Sequence, residues 1–106
     1  MKIIDLIPDP QVLLGLAPEE LAHSLLQVAH RNIQGRMVHR NVLIDTNPPH
    51  GHDLLNPQYR SPEVEVALIE ALHWLEVNAL ILPAPGPNGI NGYRILGRRG
   101  RELLDK

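Results

Sequence analysis

The stretch from Ser61 to Leu104 constrains the fold more tightly than any other part of the chain. Ser61 can cap free helical N–H groups, Pro62 suits the first helical position, and Glu63 meets the positive end of the helix dipole. From there to Asn78, at 100° per residue, Val64, Ala67, Leu68, Ala71, Leu72 and Leu75 fall on one stripe, with Trp74 at its edge. That pattern predicts a helix with one buried face. The opposite face carries Glu65, Glu70, His73 and Glu76, and also Val66, Ile69 and Val77. Three outward aliphatics predict a second contact, either with the N-terminal segment or with another subunit. Leu80–Leu82 and Tyr93–Leu96 are short strand-like runs on either side of APGPNGING, which predicts a hairpin. Gly97 then opens a short basic helix, RRGRELLD, with Leu103 and Leu104 facing inward.

Ahead of this segment, residues 1–8 read as extended or irregular. Asp9 and Pro10 form a helix-start pair, and the short helix they open ends at Gly15. Pro18, Glu19 and Glu20 start a longer helix with Leu21, Leu25, Val28 and Ala29 on one side, stopping near Gly35. Residues 36–46 are ambiguous: Val38, Val42 and Ile44 could line a strand face, yet Val38, Asn41 and Val42 also fit a short helix, and the favoured reading is a brief extended piece followed by a short helix. Residues 47–61 hold three prolines and a glycine and read as a loop, pinned to the core by Leu54 and Leu55.

Composition removes several function classes. With no Cys there are no disulfides, thiolate metal sites or cysteine nucleophiles, which fits a reducing, cytoplasmic setting. Trp74, Tyr59 and Tyr93 are the only aromatics, too few for a surface that stacks single-stranded bases. MKIIDLIPDP lacks the apolar run of a signal peptide, and nothing approaches the roughly 20 apolar residues of a membrane span. Net charge is −2, but its sign alternates along the chain. Residues 61–90 carry four glutamates and no Lys or Arg, whereas residues 91–106 are net basic. Any anion site is therefore local.

Arg94, Arg98, Arg99 and Arg101 are the candidate phosphate ligands, since guanidinium donates bidentately to phosphate; Arg36 and Arg40, with Arg31, are placed to join them. The plainer alternative is a solvated basic end that meets its helix dipole favourably. His50, His52 and Asp53 are a candidate metal set that His39 or His73 would have to complete. Alternate loop residues often point apart, so the expectation is a solvated histidine pair with no metal and no cofactor. Gly86, Gly89 and Gly92 lack the Gly-Lys-Ser/Thr ending of a P-loop and read as turn glycines. Ser24 and Ser61 are the only serines, both in helix contexts, and no acid–base pair has catalytic spacing. The chain is therefore expected not to be an enzyme.

HWLEVNALILPAPGPNGINGYRILGRRGRELL resembles the end of winged-helix regulators, including MarR-like ones, over about a third of the chain. The matching residues are Leu75–Glu76, Leu80–Ile81, the Gly86–Gly92 wing, Tyr93–Ile95 and Gly100–Arg101–Glu102–Leu103. LIPDPQVLLGLAPEELAHSLL also looks like the N-terminal region of Ymh-type hypothetical proteins. The resemblance implies a single winged-helix domain, mainly α with a small β-hairpin: an N-terminal arm with a short helix over 1–17, then a three-helix core and wing over 18–106. It also implies a regulatory or targeting module that binds double-stranded DNA through the wing and basic C-terminal helix. Three features part from that pattern, the mildest being Gly97 where such regulators often have a Thr helix cap. The loop before the recognition-like helix is about 14 residues where three or four are usual. The helix also turns Glu65, Glu70 and Glu76 outward, where phosphates would repel them. The competing expectation is a protein-interaction or dimerisation module, a homodimer or a complex with another chain, using Val66, Ile69 and Val77. No membrane contact is expected.

Overall fold

The computed structural model describes residues 2–33, 37–46 and 57–104. Its elements in chain order are α1 (Ile3–Leu6), α2 (Pro10–Leu14), α3 (Pro18–Ile33), β1 (Val38–His39), α4 (Arg40–Leu43), a 3-10 turn (Pro57–Arg60), α5 (Pro62–Val77), β2 (Ile81–Pro83), α6 (Pro87–Ile90), β3 (Tyr93–Leu96) and α7 (Arg98–Leu104). The protein is mainly helical with one small antiparallel sheet of order β1-β3-β2.

The helix starts follow from side-chain chemistry. The Asp9 carboxylate accepts from the Gln11 N–H at 2.9 Å, and Pro10 occupies the first position of α2. Glu20 accepts from the Ala17 N–H at 2.9 Å in front of α3. The Ser61 hydroxyl accepts from the Val64 N–H at 3.3 Å and opens α5. These caps fix where α3 and α5 begin, and so which faces meet. Leu21, Leu25 and Val28 of α3 and Val64, Leu68 and Leu72 of α5 are all buried in one core. Ile3, Leu13, Leu43, Tyr59 and Ile81 close that core from the other elements, each at most 1 % exposed. Burying a Leu or Ile side chain is worth about 1.5–3 kcal/mol, so this helix pair is the main source of stability.

Four parts depart from expectation. Residues 3–6 form a helical turn rather than an irregular start, because Asp5 accepts from the Lys2 N–H at 2.8 Å and Ile3 is fully buried. Residues 57–60, expected as loop, form a 3-10 turn that buries Tyr59, whose hydroxyl donates to the Ile7 carbonyl. The hairpin gains a third strand: Val38 pairs with Arg94 and His39 with Tyr93. Its loop also contains a helical turn, α6, bracketed by Gly86 (φ 68°) and Gly92 (φ 98°), values that suit glycine. Leu54 and Leu55 lie outside the described residues. Among the described residues no helix is long and apolar enough to cross a membrane.

The exit from α5 is built on backbone. Leu80 N–H returns to the Leu75 carbonyl at 2.9 Å and Ala79 N–H to Glu76 at 3.1 Å, the paired bonds of a left-handed helix stop. Ala79 accordingly sits at φ 58°, where glycine is the usual residue. Downstream, α7 packs so close that a Cβ on Gly100 would overlap the Leu80 carbonyl.

Three substitutions test this account. Ala79→Gly is expected to stabilise by on the order of 1 kcal/mol by relieving left-handed strain, raising Tm by about 4–8 °C. Gly100→Ala should cost about 1–3 kcal/mol through overlap with backbone that cannot move aside. Burial, and next the Asp9 carboxylate, push the Tyr59 hydroxyl up to about 12 from its usual 10. The folded state thus holds a proton that the unfolded chain loses first. Stability should be unaffected by Tyr59 below pH 10 and fall between pH 10 and about 12. Tyr59→Phe should remove that step in denaturant titrations at high pH.

Candidate functional site

One of the expected phosphate ligands, Arg94, faces inward, and a second, Arg40, is half-buried. Arg94 is a buried charged residue, 9 % exposed. Its Nε donates to Glu76 Oε2 at 2.9 Å, and its Nη1 donates to the Tyr93 carbonyl at 3.1 Å and the Gly89 carbonyl at 3.3 Å. Arg40 Nη2 lies 3.6 Å from the other oxygen, Glu76 Oε1. One carboxylate on α5 therefore holds β3 and α4 together. Arg94 is a corrected expectation: its guanidinium is spent on Glu76 and on the backbone of the hairpin loop. Arg40 keeps 39 % of its side chain exposed, but its Nε is buried without a hydrogen-bond partner. Glu76 is corrected too. It was expected outward as a bare acid, yet it is paired twice and its side chain is only 20 % exposed.

The remaining basic residues divide. Arg98, Arg99 and Arg101 are exposed on α7, and Arg31 is exposed near the end of α3. Arg36 lies outside the described residues. So do His50, His52 and Asp53, the candidate metal set. Its proposed completers are placed apart in role. The His39 Nδ1 accepts from the Asn41 N–H at 3.2 Å, capping α4, and its Nε2–H donates to the Asn91 carbonyl at 2.9 Å. That ring also meets Tyr93 edge-on at 5.2 Å. His39 is thus a latch between α4 and the hairpin loop, with both nitrogens in use. His73 is exposed on α5.

The outward aliphatics of α5, expected as an interface, are exposed. Val66, Ile69 and Val77 are 52 %, 42 % and 69 % exposed on the outward side of α5. Beside Val66 lies a groove that the sequence reading missed, with a volume of about 520 Å³. Leu14, Leu16 and Pro18 form one wall, from the end of α2 to the start of α3, and Pro62, Val66 and Ala67 form the other. Buried Leu21 lies between them, and Glu63 and Glu70 complete the lining. A signal for it exists in the charge spacing. No Lys or Arg occurs between Lys2 and Arg31, or between Arg60 and Arg94, and the two stretches so defined are the ones that meet here.

A second, smaller hollow of about 270 Å³ is lined in part by Asn41, Asp45, Arg60 and Glu65. Its lining is mixed, with Ile44 and Leu68 among the polar groups, and the Ser61 hydroxyl there is already used to cap α5. No family model, curated protein or solved structure matches the chain.

The Glu76 cluster makes a clear prediction for thermal unfolding. Glu76→Leu leaves two guanidinium groups without their carboxylate and is expected to cost on the order of 3 kcal/mol. Arg94→Met alone should also destabilise, because Glu76 is then left part-buried with one distant partner. Joining Glu76→Leu with Arg94→Met should recover much of the loss, since an apolar pair of similar size often equals a buried ion pair. Additive losses in the double variant would rule out the coupling.

Proposed function

We propose that this chain is a non-catalytic winged-helix module whose recognition-like helix, α5, binds another protein chain. The order of elements supports the winged-helix reading: a long helix, a short strand, a short helix, a second long helix, then a hairpin that pairs back on the short strand as β1-β3-β2. α5 takes the place of the recognition helix and the β2–β3 loop the place of the wing. The observation that carries the protein-binding reading is the outward face of α5. It presents Val66, Ile69 and Val77 beside Glu65 and Glu70, and it has no Lys or Arg. Such a face is repelled by phosphate and gains by covering its aliphatics.

A second reading retains one specific support, the exposed Arg98, Arg99 and Arg101 on α7. Three phosphate contacts give a salt slope of only about −2.7, the signature of weak and sequence-independent attachment. In gel shifts duplex DNA should be retained at low salt at most, and released near physiological salt. Reversing all three arginines to Glu should abolish even that. Tight retention at about 150 mM salt would favour the nucleic-acid reading instead.

The protein-binding reading is tested by panning a displayed library of helical peptides on the wild type and on Val66→Asp/Ile69→Asp. Both positions are exposed, so the variant should melt within about 0.5 kcal/mol of the wild type. Sequences enriched on the wild type should be lost on the variant. Equal enrichment on both, or none on either, would overturn the reading.

A further inference from the structure

The geometry points to the groove between the α2–α3 corner and α5 as the seat of a cationic amphipathic helix from a partner protein: two or three aliphatic side chains in the groove, Lys or Arg on its flanks. This rests on the protein-binding reading of α5 and goes further by naming the chemistry of the partner.

Volume sets the number of anchors. Truncating one buried Leu to Ala opens a cavity on the order of 150 Å³. A groove of about 520 Å³ thus takes two or three aliphatic side chains with room left for their backbone. Aliphatics at i, i+3 or i+4 and i+7 of one helix are how such grooves are read. The walls suit them: Leu14, Leu16, Pro18 and Val66 offer branched or ring carbon and no hydrogen-bonding side chain.

Charge sets the flanks. Glu63 and Glu70 stand in the first and third turns of α5, both exposed, and Glu19 is exposed next to Pro18 on α3. None of the three forms an ion pair among the described residues. The two chain stretches that build the groove hold no Lys or Arg, so among the described residues these carboxylates have no cation within ion-pair distance. An apolar segment with acidic flanks would be repelled, and one with basic flanks attracted.

The same measures disfavour a second copy of this chain as occupant. Its exposed basic helix, α7, has the arginines but only one exposed aliphatic, Leu103, which is 41 % exposed where the sequence predicts it inward. One Leu leaves most of the groove empty.

The test uses the full chain and two fluorescent synthetic peptides of about 14 residues, each with Leu at i, i+4 and i+7. One carries Lys at the flanking positions and the other Glu. The Lys peptide should bind by anisotropy and shift the amide signals of Leu14, Leu16 and Val66. Its affinity should fall roughly tenfold in Glu63→Lys/Glu70→Lys, fall again as salt rises, and vanish in Val66→Asp. Equal binding of the Glu peptide, indifference to the Glu63/Glu70 reversal, or no binding of the Lys peptide would each overturn the proposal. So would a wild-type dimer in light scattering that Val66→Asp dissociates, since the groove would then be filled by a second copy. The peptide library separates the two readings: enriched peptides without basic flanks, lost on the Val66 variant, would end this proposal and leave the protein-binding role of α5 standing.

Discussion

The Glu76 carboxylate is the joint on which the rest of the molecule turns. It reaches from α5 to Arg94 on the central strand and to Arg40 on α4, so it ties the sheet to the helix pair at one point. Arg94 passes the constraint onward through the carbonyls of Tyr93 and Gly89, and so holds the hairpin loop as well. The neighbouring His39 latch closes the same loop from the other side, where a Cβ on Gly92 would come within 2.7 Å of its Nε2. An ion pair of this kind contributes little net stability compared with apolar packing, because both partners lose water. Its main consequence is specificity: with these charges buried, the strand register that pairs them is favoured over any that leaves them apart.

That joint also decides what the surface can do. It withdraws Arg94, and in part Arg40, from the group of arginines that the sequence offered to phosphate. It neutralises the one glutamate on α5 that lies nearest the sheet. Of what remains exposed, Arg98, Arg99 and Arg101 lie on α7 beside Glu102, whereas Glu63, Glu65 and Glu70 lie with Val66, Ile69 and Val77 along α5. A sum of charge by chain segment cannot reveal this, because it counts Arg94 with Arg98 although the two face different surroundings.

Legibility followed the range of the interaction. Caps act over three residues and period over a few turns, so Asp9–Pro10, Ser61–Pro62 and the Val64–Leu75 stripe were readable directly. The brief strand and short helix at residues 38–43 were ambiguous, because two residues of strand and four of helix are too short for either period to show. The third strand pairing was not readable, since Val38 meets Arg94 across more than fifty residues. Likewise Tyr59 looked like part of a polar loop because its partner, the Ile7 carbonyl, is at the other end of the chain. Gly97 and Gly100 read only as features of a helix start. Their actual requirement is steric, set by the carbonyls of Ala79 and Leu80 against which α7 rests. For the candidate interface, the exposed aliphatics were legible from helical phase, whereas the groove beside them needs α2 and α5 brought together.

A solitary exposed Val or Ile calls for no explanation, since much of any protein surface is apolar. α5 presents something else. Its buried stripe already satisfies the core, and Val66, Ile69 and Val77 add nothing to that packing at 42–69 % exposure. Val66 moreover forms part of a concave wall whose other side comes from a different part of the chain. Concavity matters because it lets a partner surround each aliphatic with more contacts than a flat patch allows, and dispersion sums over contacts. The flanking carboxylates then supply what apolar contact lacks, a sign of charge that admits some partners and rejects others. Under the proposed protein-binding reading, an apolar groove flanked by Glu63 and Glu70 is better suited to selecting a partner than to stabilising its own fold.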